Sequence, residues 1–109
     1  FELETPHVES AGFYRAIKAP TGLMLIKRQV FERLAQAFPE LHRPAGDSYY
    51  GFQRIGRVLQ CFESLSDEAG IGMSEDVSFC RRWRSIGGEI WATFDPRVGH
   101  IGPYLFRAG

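Results

Sequence analysis

The spacing of apolar residues along this chain changes several times, and each change marks an element. Residues 11–18, AGFYRAIK, alternate Phe13, Arg15 and Ile17 with Tyr14, Ala16 and Lys18, which is the two-residue period of a strand. Ala19 and Pro20 break that pattern, and Thr21-Gly22 leads into Leu23, Met24, Leu25 and Ile26. Such a short apolar run is typical of a strand buried on both faces. Val30, Phe31, Leu34 and Phe38 then keep helical spacing, which predicts a helix over 28–38 that stops at Pro39. Residues 39–46 form a turn-rich loop, Tyr49, Tyr50 and Phe52 an aromatic segment, and 57–62 another strand. Residues 64–72 hold Asp67, Glu68, Gly70 and Gly72 and read as a mobile acidic loop.

The most informative stretch is 74–102, SEDVSFCRRWRSIGGEIWATFDPRVGHIG. Ser74 suits a helix N-cap, and Glu75 and Asp76 follow it at the positive end of the helix dipole. Phe79, Cys80, Trp83 and Ile86 line one buried stripe, and Gly87-Gly88 ends the helix. Residues 89–94 read as a strand, Asp95-Pro96 as a turn, and 97–101 as a further strand. Strands interleaved with two main helices give an α/β arrangement with a mixed sheet.

Composition narrows the classes. A chain of 109 residues builds one core, so 1–109 is a single domain. Thirteen basic and thirteen acidic residues cancel, which removes any electrostatic reason to expect nucleic acid as partner. No apolar run approaches the ~20 residues of a membrane span. The opening residues, FELETPHVES, are acidic and unlike a secretory signal. Cys61 and Cys80, without CxxC spacing, suggest reduced thiols and a cytoplasmic setting. A start at Phe1 rather than methionine suggests a piece of a larger protein.

Four groups of residues have chemistry to offer, each with a plainer alternative. Glu75 and Asp76 suit a general base that takes a proton from a hydroxyl nucleophile, or simply satisfy the helix start. His100, in VGHIG, suits a divalent-metal ligand, or a lone structural histidine. Arg82 and Trp83, in RRWR, suit phosphate or sugar contacts, or a core tryptophan among solvated arginines. Arg82 follows Glu75 by seven residues, close enough to the same helix face to hold the carboxylate's surroundings. Thr21 and Gly22, at the head of a strand, suit close approach of a ligand to the backbone, or a turn after Pro20.

With these residues in view, the chain resembles the second half of inverting, family 2-like, nucleotide-sugar-dependent glycosyltransferases of the GT-A fold. Glu75, Asp76, Phe79, Cys80, Arg82 and Gly87, then Ile90 and Trp91, then His100 and Gly102, are similar to that family's EDxxLCxRxxxxG, strand and histidine-glycine series. Gly22, Leu25, Ile26, Arg28, Val30 and Phe31 match its GxGFMLIRRxVFE block. The two blocks cover about half of the chain.

The resemblance implies Asp76, with Glu75, as the base for the acceptor hydroxyl. It implies His100 as a ligand of a divalent cation (Mn or Mg) beside the nucleotide diphosphate, and Gly22 where sugar or acceptor meets the sheet. It also implies that the nucleotide-binding half with its DxD carboxylates lies outside these residues, so the isolated chain is expected to be inactive. A sheet edge left open by that half would invite self-association. Pro96 departs from the family's spacing by about two residues, which bears on the path into His100. The alternative from a different class is a non-catalytic α/β module. Such a module would bind a protein or carbohydrate through Tyr49, Tyr50, Phe52 and the acidic loop.

Overall fold

The computed structural model describes residues 2–20, 22–44, 56–94, 97, 99–101 and 105–107. It is an α/β structure with two helices and antiparallel strand pairs. Strand β3 (Phe13–Lys18) is central. On one edge it pairs with β1 (Glu2–Leu3) and β2 (Glu9–Ser10), and on the other with β6 (Trp91–Ala92). The link from β2 to β3 is the two-residue turn Ala11-Gly12, with φ of 52° and 85°. Both angles positive is the geometry whose twist suits a tight hairpin. Two more antiparallel pairs join β4 (His42–Pro44) to β5 (Arg57–Leu59), and β7 (Gly99–Ile101) to β8 (Leu105–Arg107).

Helix α1 (Arg28–Ala37) buries Val30 and Leu34, and α2 (Glu75–Ser85) buries Ser78, Phe79, Cys80, Arg82 and Trp83. Those apolar faces meet Cys61, with Met24, Ile26, Phe31, Phe38, Leu59, Phe62, Ile86 and Ile90 packed around them. Phe62 and Phe79 stack with ring centroids 4.6 Å apart. Both helices lie where the apolar spacing predicts, because a one-sided stripe at helical period has a single way to bury itself. No helix among the described residues is long and apolar enough to cross a membrane.

Two local expectations are corrected. Residues 23–26 join no ladder among the described residues. Only Met24 and Ile26 face the core, while Leu23 and Leu25 are 77% and 101% exposed. The pairings described are therefore all between antiparallel neighbours. A parallel pair needs a crossover connection, and the segment best suited to one stands outside the sheets. The acidic loop, expected to be mobile, is closed by hydrogen bonds. Asp67 Oδ1 accepts from the backbone of Ala69 and Ile71, a bridge joins Ser66 to Gly72, and the Leu65 N–H donates to Ser78 Oγ of α2. The predicted aromatic segment Tyr49, Tyr50 and Phe52 lies outside the described residues.

Candidate functional site

Ser74 is the N-cap of α2, its Oγ accepting from the Val77 N–H at 3.4 Å. That cap fixes the first turn and sets Glu75 and Asp76 side by side at the helix start. Glu75 is exposed and Asp76 is half-buried. Asp76, Ser74 and Val77 form one wall of an open cleft of about 280 Å³, and Lys18, Ala19 and Pro20 form the other. The cleft therefore lies between the helix start and the end of the central strand. Lys18 is anchored by Glu2 at 2.9 Å and is about half exposed. The Cys80 thiol reaches across to the Ala19 carbonyl at 3.7 Å and ties α2 to the opposite wall.

Of the predicted site residues, Asp76 lines the cleft, with Pro20 on the opposite wall, whereas Glu75 and Gly22 do not line it. Gly22 is exposed, with nothing within 4 Å of where a Cβ would stand. Thr21 lies outside the described residues. Lys18 is the cleft residue that sequence reasoning missed. Its signal was its place as the last residue of a strand, just before the break at Ala19-Pro20.

Arg82 and Trp83 belong to the other end of α2. Arg82 does not stand beside Glu75 and Asp76, nor is it solvated. It is 6% exposed, and its Nη1 donates to the carbonyls of Cys61 (3.3 Å) and Glu63. Seven residues return a side chain to roughly the same face, but they also carry it about 10 Å along the axis. Trp83 is 8% exposed, donates Nε1–H to the Glu89 carbonyl at 3.0 Å, and carries the Arg33 guanidinium 4.8 Å from its ring centre. Between core tryptophan and ligand contact, the geometry is that of the core. Arg81 and Arg84 take surface partners, Glu68 and Glu4. A second cleft of about 240 Å³ touches Arg81 and Arg82 along with Phe38, Glu40, Leu65 and Ser85, but the Arg82 guanidinium is already committed to backbone carbonyls.

His100 stands in β7, in register with Phe106 of β8, and its side chain lies outside the described part of the structure. Among the described residues no three His, Cys, Asp or Glu side chains converge as a metal site. The residues described do not by themselves fit the expected divalent cation. Cys61 and Cys80 are both free and buried. Burial pushes the Cys80 thiol above its usual range, the hydrogen bond to Ala19 opposing and the Asp76 charge adding to the rise. Burial likewise raises Cys61, against the pull of its backbone hydrogen bond and the Arg82 charge. Burial of this kind disfavours the thiolate on which a nucleophilic cysteine depends. The cleft therefore offers a half-buried carboxylate, an ammonium, a hydroxyl and apolar surface from Val77 on one wall and Pro20 on the other. No family model, curated protein or solved structure matches this chain.

Proposed function

We propose that this chain is the acceptor-side, catalytic-base part of an inverting glycosyltransferase of the GT-A fold, acting on a nucleotide-sugar donor and a hydroxyl acceptor. The observation that supports the reading is the cleft in which Asp76, at the start of α2, faces the strand end leading into Gly22. Asp76 is half-buried and lines that open cleft, a position in which a general base meets an acceptor hydroxyl.

In the proposed step the acceptor oxygen attacks the anomeric carbon of the donor. The bond from that carbon to the diphosphate breaks, and the acceptor proton passes to Asp76, with Glu75 beside it. Pro20 and Val77 give the sugar an apolar surface, and Lys18 a hydrogen-bond donor. The nucleotide and its Mn or Mg ion fall to the remainder of the enzyme, with His100 the residue of this chain expected to take part. Two free thiols suit a cytoplasmic enzyme.

The test is calorimetric titration of UDP-glucose and GDP-mannose, with manganese, into the full-length polypeptide that carries this sequence, followed by turnover of Asp76→Asn. We expect binding to persist in the variant and turnover to fall about 10²–10⁴-fold. Loss of the reading follows from no binding of either donor, or from turnover untouched by the substitution. A non-catalytic binding module is the second reading. On its side stand the exposed aromatics Phe13, Trp91 and Phe94, at 44%, 38% and 48%. Ligand binding in a protein with no turnover at all would favour it.

A further inference from the structure

Three rings meet on the sheet, apart from the cleft. His7, just before β2, has its ring 6.2 Å from that of Tyr14 in β3, with the planes at 76°. Phe94, just after β6, meets the same Tyr14 ring at 6.4 Å and 56°. Both β2 and β6 pair with Tyr14, so His7 and Phe94 come to it from opposite edges of the strand. Tyr14 is half-buried and forms a floor, and the exposed His7 and Phe94 rings stand as walls inclined to it. Glu9 lies directly opposite Tyr14 in the ladder and therefore on the same face. Gly12 holds both sides in place. Its N–H donates to Glu9 Oε1 at 2.7 Å, and its carbonyl accepts from Thr93 Oγ1, one residue before Phe94, at 3.0 Å. Glu9 Oε2 takes no hydrogen bond from a described residue. Arg15, the next residue of β3, belongs to the other face and is engaged by Glu4 at 3.3 Å.

We propose that His7, Tyr14, Phe94 and Glu9 form a binding site for a quaternary ammonium group, carried on a small choline-like molecule. Aromatic faces are the negative side of the ring quadrupole, and a fixed carboxylate beside them adds a full charge. A bare ammonium is strongly hydrated, whereas a methylated one sheds water and presents methyl groups to the rings. The rings would take the methyl groups, and Glu9 Oε2 the hydroxyl two carbons away. A trimethyllysine side chain offers no donor at that place, and a zwitterion would bring its own anion against Glu9. The site is independent of the transferase reading, since none of the four residues lines the cleft at Asp76.

An NMR titration of the protein with choline chloride tests this. The choline methyl protons are expected to show Overhauser contacts to the rings of Tyr14 and Phe94. The neutral isostere 3,3-dimethylbutan-1-ol should bind at least about 10-fold more weakly, because it keeps the shape and loses the charge. Glycine betaine should also bind more weakly than choline, and Glu9→Gln should narrow that difference. Phe94→Ala and Glu9→Gln are each expected to weaken choline about 10-fold. Glutamine keeps an oxygen for the Gly12 N–H, and Glu9 is exposed, so that variant should melt within about 2 °C of the parent. Should Phe94→Ala unfold the chain, Glu9→Gln carries the test alone. No contact from choline at about 50 mM would overturn the proposal. Equal binding of the isostere would overturn it too, as would choline binding untouched by Glu9→Gln. A trimethyllysine peptide that binds more than about 10-fold tighter than choline would overturn the small-molecule occupant.

Discussion

The two ends of α2 differ in what surrounds them, although both carry residues that stand out in the sequence. At the N-terminal end, Asp76 and Ser74 border an open cleft. At the C-terminal end, Arg82, Trp83 and Gly88 interlock. Gly87 takes a φ of 88°, the Gly88 N–H donates to the Trp83 carbonyl at 2.9 Å, and Gly88 lies against the indole ring. One helix thus separates two duties. The buried end packs into the core, and the end beside the cleft sets Asp76 opposite the end of the strand. If that division is right, substitutions at the buried end should damage the fold, and those at the open end should leave it nearly intact.

The largest effect is expected at Gly88. A Cβ there would fall within the van der Waals radii of Trp83 Cδ2, Cε2 and Nε1, and neither the ring nor the backbone of the turn can yield without breaking the Glu89 hydrogen bond. Gly88→Ala should cost about 3 kcal/mol by chemical denaturation, at the upper end of ordinary overpacking. A loss under about 1 kcal/mol would mean the turn is looser than its contacts imply.

Arg82→Met comes next. Methionine keeps much of the buried stem, but the carbonyls of Cys61 and Glu63 lose their donor. Hydrogen bonds from a charged group to buried acceptors put the expected loss at about 2 kcal/mol. An unchanged denaturation midpoint, with turnover of the full-length protein lost, would return Arg82 to the substrate and collapse the contrast between the two ends.

Ser74→Ala probes the open end. The cap bond is long, 3.4 Å, so the loss should lie near the low limit for caps, about 0.5 kcal/mol. A cost matching that of Arg82→Met would show the open end to be as structural as the buried one.

How legible each end was follows from the range of the interactions involved. The cap at Ser74, the stripe of Phe79, Cys80 and Trp83, and the stop at Gly87 are set within a few residues of sequence, and all are present. The inward turn of Arg82 depends on carbonyls 19 and 21 residues away. The cleft depends on Lys18 and Pro20 meeting a helix more than fifty residues later. Residues 23–26 show the same limit from the other side. Their apolar run specifies a strand, but a ladder needs a partner, and local sequence does not say which one.

The smallest expected effect lies just beyond the buried end. Glu63, whose carbonyl serves Arg82, has a carboxylate held by Arg43 at 2.8 and 2.9 Å, and that hydrogen-bonded pairing lowers its pKa below the usual 4.5. A depressed folded-state pKa adds stability above the unfolded value and loses it as pH falls through the folded one. The pair is more than 40% exposed on both sides, so solvent screening holds its contribution to a few tenths of a kcal/mol. Glu63→Gln should therefore lower the denaturation midpoint slightly at pH 7, and the gap from the parent chain should close as pH drops below 4.5. About 1 M salt at pH 7 should close it as well. A gap that survives both acid and salt would mean that the substitution disturbs the Glu63 backbone itself, and through it the seat of Arg82. The buried end of the helix would then reach as far as this surface pair.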